Sequence, residues 1–152
     1  MRGREEDTFG SLSAGEQDLT RSTAGSTSSV FRFDLRVELA RLRSGAGYSR
    51  GDPTGSTLVK EPDLRIVLMA LKAGSRMHEH DASGPISVQP VEGRIRLVAG
   101  SEVVELSAGE MVALKPGISH QVEALENAAF LLTVGRTKYH DVSIDHEPTA
   151  GQ

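Results

Sequence analysis

From residue 56 to residue 134 the chain falls into short apolar runs, most of them alternating, each closed by glycine, proline or an acidic turn. Thr57 to Lys60 is the first. Leu64 to Lys72 is longer and denser. Its Ile66, Val67, Leu68, Met69 and Leu71 leave no polar face, the pattern of a strand buried on both sides. Ala73-Gly74-Ser75 breaks it, and Arg76 to His80 continues. Asp81-Ala82-Ser83-Gly84-Pro85 reads as a turn into Ile86 to Val91, and Glu92-Gly93 turns into the clean alternation Arg94 to Val98. Ala99-Gly100-Ser101 is a hairpin loop to Glu102 to Leu106. Then come Glu110 to Leu114, the Lys115-Pro116-Gly117 turn, His120 to Ala124, and Ala128 to Val134. Eight or nine strands at this spacing predict an all-β antiparallel sandwich or barrel over 56–136.

The preceding segment fits two patterns. Phe31, Phe33, Leu35, Val37 and Leu39 alternate as in a strand, whereas Phe31, Leu35, Leu39 and Leu42 keep helical spacing. A helix is the preferred reading, because Asp34 suits an N-cap, Ser44-Gly45 suits a stop, and Glu38 and Arg41 pair at i, i+3. It would lay Leu35, Leu39 and Leu42 on the barrel or on a partner subunit. Gly45 to Gly55 is expected to be a loop, which makes 30–55 a lead-in to the barrel. Residues 1–29, ending in Ser22-Thr23-Ala24-Gly25-Ser26-Thr27-Ser28-Ser29, are expected to form a disordered tail. Residues 137–152 read as a polar C-terminal tail in which Val142 and Ile144 dock weakly.

Composition narrows the classes. The 152 residues suffice for one domain with a core. With a net charge of -4 and mixed signs along the chain, no basic patch argues for a nucleic-acid partner. No apolar run approaches the roughly 20 residues of a membrane span, and the charged first residues, with no apolar stretch among them, are not expected to act as a secretory signal. A cytoplasmic location is the expectation. Without cysteine, any metal must be held by nitrogen and oxygen.

Five histidines are present, at 78, 80, 120, 140 and 146. On a regular strand, His78 and His80 point to one face and two imidazoles can share an ion at roughly 2.0–2.1 Å. His120 opens a strand after a tight Pro-Gly turn and is the best third ligand. Solvated histidines at a strand end are the alternative. His140 and His146 lie in the polar tail and are not expected to be ligands.

These residues resemble the motifs of the cupin superfamily. The first motif is a glycine, His-x-His, a glutamate four or five residues on, and a later glycine; here it corresponds to Gly74, His78, His80 and Gly93. The second motif, a glycine, a short strand, a Pro-Gly turn and a histidine, corresponds to Gly109 through Pro116-Gly117 to His120. The resemblance implies a double-stranded β-helix, or jelly-roll barrel, with a divalent metal held by His78, His80 and His120. It departs in two respects: Gly74 stands closer to His78 than usual, and Gly84 or Pro85 falls where the glutamate belongs. Three ligands rather than four carry over, and the set resembles that of the thiol dioxygenases. If position 85 faces inward as the family glutamate does, Ser87 and Gln89 become pocket residues, with Ile86 and Val88 packing outward.

The resemblance implies a small-molecule ligand and, since small cupins often pair, a homodimer that the Leu35, Leu39 and Leu42 face would support. Imidazole ligation suits Zn, Fe, Ni, Cu or Co alike. The sequence leaves three functions: a sensor or storage module binding a metal or small polar ligand, a metal-dependent oxygenase or isomerase, and a structural barrel with a vestigial site. No catalytic residue is assigned.

Overall fold

The computed structural model describes residues 26–80 and 83–136, with His80 represented by its backbone. Residues 1–25 of the predicted N-terminal tail, the whole C-terminal tail with Val142 and Ile144, and His140 and His146 lie outside the described residues. Residues 26–29 are exposed and without regular structure.

Two helices, α1 (Leu35–Arg43) and α2 (Ala46–Arg50), precede nine strands: β1 (Thr54–Lys60), β2 (Leu64–Leu71), β3 (Arg76–His80), β4 (Ile86–Glu92), β5 (Arg94–Ala99), β6 (Glu102–Ser107), β7 (Val112–Leu114), β8 (His120–Ala124) and β9 (Ala128–Gly135). The strands form two antiparallel sheets, β1-β2-β9-β4-β7 and β3-β8-β5-β6. The chain crosses between the sheets after β2, β3, β4, β6, β7 and β8, which makes a jelly-roll barrel.

Helical spacing prevails in the lead-in. The Asp34 side chain accepts from the Arg36 backbone N–H at 3.0 Å, satisfying a first-turn donor. Phe31 and Phe33 stay outside the helix, half-buried, and Phe33 packs beneath it. The segment expected as a loop carries α2, closed by Gly51 in the left-handed region at φ 91°. The barrel begins at Thr54, two residues earlier than the apolar pattern indicated.

Sheet β1-β2-β9-β4-β7 is apolar on both faces. Its inner face gives Val67, Met69, Leu71, Ile86, Val88, Phe130 and Val134 to a core shared with Met77, Ile95, Leu97 and Val122 of the second sheet. Its outer face gives Leu58, Val59, Leu68, Ala70 and Ala129 to a second core closed by Leu39, Leu42 and Tyr48. A bulge at Leu58 turns both Leu58 and Val59 toward the helices. The apolar face of α1 is thus consumed within the chain and does not supply the dimer contact expected of it. The outer face of β3-β8-β5-β6 meets water instead. There Arg76, Glu123, Arg96 and Glu105 form one row across four strands, linked at 3.3, 3.6 and 3.0 Å. Such exposed pairs contribute little singly but hold alternate charges in register.

Leu42→Ala should lower the unfolding free energy by about 3 kcal/mol in a urea titration, with the barrel strands retained by circular dichroism. Asp34→Ala should lower the melting temperature at neutral pH. The Arg36 backbone N–H bonded to Asp34 holds its carboxyl below the usual value. A depressed folded-state value stabilises above the unfolded one and is lost as pH falls. The deficit of Asp34→Ala should therefore shrink on acidification.

Candidate functional site

One end of the barrel is defined by the loop from β3 to β4 and the Pro-Gly loop from β7 to β8. Both cross between the sheets there, so His80, Ile86, Leu114 and His120 mark a common rim. Gly117, at φ 78°, makes the second turn possible.

His120 is the first residue of β8 and is 3% exposed. It pairs across the ladder with Ala99 on one side and His80 on the other. Its Nδ1 lies 2.9 Å from the Ile118 carbonyl oxygen. A carbonyl only accepts, so Nδ1 donates there and the contact fixes the ring's orientation. The Gly100 N–H donates to the Ser119 carbonyl at 3.0 Å and ties the β5–β6 hairpin to the same turn.

His78 and His80 do not share a face by simple alternation. Met77 pairs with Val122 and His80 with His120, so β3 advances three residues while β8 advances two. His78 and Glu79 both fall opposite Gln121, an exposed residue, and are themselves exposed. The bulge is anchored: Ser119 Oγ donates to Glu79 Oε1 at 2.6 Å. Beyond it the register sets the His80 backbone beside His120. The i, i+2 argument fails here because it assumes an unbroken pleat. Among the described residues no three metal-binding side chains gather in one place; the His80 side chain and Asp81 lie outside them. Of the candidate ligands, His120 is a buried, oriented imidazole, and the His80 backbone lies directly across the ladder from it.

The pocket reading of β4 is corrected. Ile86 and Val88 are buried in the barrel core, Ser87 is half-buried and Gln89 is exposed. Gln89 pairs with Leu131, which packs against the helical core, so Ser87 and Gln89 belong to the outer face. Position 85 precedes the strand, so its orientation does not set the parity of β4. Gly84 is buried there, and a Cβ on it would overlap the Gly135 carbonyl oxygen. The Pro85 carbonyl accepts from the Gly135 N–H at 2.9 Å.

Arg65 stands in register with inward Val67, Met69 and Leu71, a charge in an otherwise apolar column. Its Nη2 donates to Thr57 Oγ1 at 3.4 Å. Glu102 pairs with Ala99 at the far end of the histidine row and is exposed.

Two facing antiparallel sheets closed in this order define a jelly-roll barrel protein with a histidine-bearing rim. The architecture matches solved structures of one family. A cupin 2 conserved barrel domain protein from Leptotrichia buccalis aligns with 59% of this chain and 43% of its own, at 27% identity and a TM-score of 0.56. A conserved Streptococcus pyogenes protein of unknown function aligns over 59% of this chain and 78% of its own, at 25% identity and a TM-score of 0.56. A cupin-2 domain protein from Shewanella frigidimarina covers 68% of this chain and 94% of its own at 14% identity, with a TM-score of 0.55. No family model and no curated protein matches the sequence. The chain shares the jelly-roll barrel fold of these cupin proteins.

Gly84→Ala should destabilise the protein by about 2 kcal/mol or more, because its methyl group meets backbone rather than a movable side chain. A chemical denaturation midpoint equal to wild type would show that the loop relaxes freely.

Proposed function

We propose that the rim of this barrel binds a divalent metal ion through His80 and His120, and that a small polar ligand occupies the remaining coordination positions. The observation that carries the reading is the cross-ladder pairing of His80 with a buried His120 whose Nδ1 is held by the Ile118 carbonyl. His78 is the proposed third ligand. It sits on the bulge and is exposed, so its contribution is the smallest of the three. Bound there, the ion would supply a Lewis acid with open positions. The protein's part is to fix the His120 ring and to surround the ion with apolar walls, which include Ala99 and Ile86.

A binding role, as a sensor or storage module, is the reading best supported. Glu79 is committed to Ser119 rather than poised as a base over the rim. An oxygenase or isomerase would need the same ion and would reveal itself by oxygen uptake or turnover once loaded.

Protein purified without a metal-affinity tag and reconstituted with Zn, Fe, Ni, Cu or Co should hold about one ion per chain by elemental analysis. His120→Ala and His80→Ala should lose it. His78→Ala should bind it with reduced affinity. Sub-stoichiometric metal in the reconstituted wild type, or equal metal in wild type and His120→Ala, would remove this function.

A further inference from the structure

Strand β3 has two ways to lie against β8. In the observed register Met77 pairs with Val122 and His80 with His120, with one extra residue between them on β3. Without that residue the ladder would run on, setting His78 opposite Gln121 and Glu79 opposite His120. Glu79 would then take the inward parity of Met77 and carry a carboxylate toward His120, which is 3% exposed. Met77 keeps its place in both registers, so its burial does not choose between them. A one-residue slip exchanges the residue that faces His120.

The two registers differ in where Glu79 goes. In the bulged one it is exposed, and its Oε1 accepts from Ser119 Oγ at 2.6 Å. That is the short contact of a hydroxyl with an ionised carboxylate. In the regular register the carboxylate would leave Ser119 for the apolar interior, at the desolvation cost of an unpaired charge. Ser119 is itself fixed. Its carbonyl accepts from the Gly100 N–H at 3.0 Å, and the adjacent Ile118 carbonyl accepts from His120 Nδ1 at 2.9 Å. The step Ile118-Ser119 thus meets the β5–β6 hairpin, the His120 ring and the β3 bulge. The other carboxylates of this sheet's outer face pair along the strands, as Glu123 does with Arg76 and Glu105 with Arg96. Glu79 reaches a turn instead.

We infer that Glu79 and Ser119 form a register lock, which holds β3 in its bulged pairing and so positions the His80 backbone opposite His120. Both are positioning residues, since they act through the strand. The consequence for metal binding rests on the rim site proposed above; the register does not.

NMR on the metal-free full chain reads the register through backbone NOEs between β3 and β8, and zinc titration of the same proteins reads the site. Wild type should show NOEs between His80 and His120. Ser119→Ala should add a set between Glu79 and His120 and speed amide exchange in β3 about threefold to tenfold, the loss of one hydrogen bond. Ser119→Thr, which restores the hydroxyl, should return both to wild type. Glu79→Gln, which keeps an acceptor without its charge, should shift in the direction of Ser119→Ala. Ser101→Ala, an exposed serine in the β5–β6 turn, should change neither. Zinc affinity should fall in Ser119→Ala by the factor seen in exchange and recover in Ser119→Thr. Wild-type NOEs and exchange in folded Ser119→Ala, or a Ser119→Thr protein no closer to wild type than Ser119→Ala, overturns the lock. If Ser119→Ala does not fold, Glu79→Gln and Ser119→Thr decide on the same readouts. A changed register with zinc affinity equal to wild type overturns the positioning of the site. A wild type that binds no zinc removes the metal, and the NOEs still decide the lock.

Discussion

A strand that is apolar on both faces has to be covered twice. Leu68, Met69, Ala70 and Leu71 are each fully buried in β2, with Met69 and Leu71 turned into the barrel and Leu68 and Ala70 turned out. The barrel supplies one cover through Phe130, Val88 and the second sheet. The other cover must come from outside the sheet, and α1 with Tyr48 provides it. The lead-in is therefore part of the fold rather than an appendage. Edge strand β1 is buried on both sides for the same reason, and its bulge at Leu58 adds a second aliphatic side chain to the helical core.

The same double cover determines where polar groups can go. With sheet β1-β2-β9-β4-β7 closed on both faces, charge is left to the outer face of β3-β8-β5-β6 and to the barrel ends. The outer face takes the Arg76–Glu123–Arg96–Glu105 row. The end marked by the β3–β4 and β7–β8 loops takes His80, His120 and Arg65. Two other features are adapted to that end. Gly84 admits the Gly135 backbone at a distance no side chain would allow, and Glu79 pins the β3 bulge to the turn before His120.

Strand order and turns were legible because each apolar run carries its own period and each turn its own residues. The run from Ile66 to Leu71 announced a strand buried twice before any partner was known. What was illegible depended on register. Nothing within Arg76 to His80 signals that β3 gains a residue against β8, since a bulge is a property of the pair. Parity counted from His78 therefore went astray, and parity counted from Pro85 inverted all of β4. α2 was hidden by its brevity and by Gly45, Gly47 and Gly51, which read as loop. His120 was found by the motif, but the Ile118 carbonyl that orients it could not be, because a backbone acceptor leaves no trace in residue type.

The bulge makes the order of the histidines at the rim a matter of strand register rather than of distance along the chain. On a regular β3, inward Met77 would put Glu79 next on the inner face and leave both histidines outside. One extra residue keeps Met77 in the core and brings the His80 backbone opposite His120. Removing the bulge to bring His78 inward would turn Met77 to solvent, and the burial of Met77 at 5% exposure opposes that exchange. A rim built in this way favours two histidines from facing positions of one ladder over two from one strand.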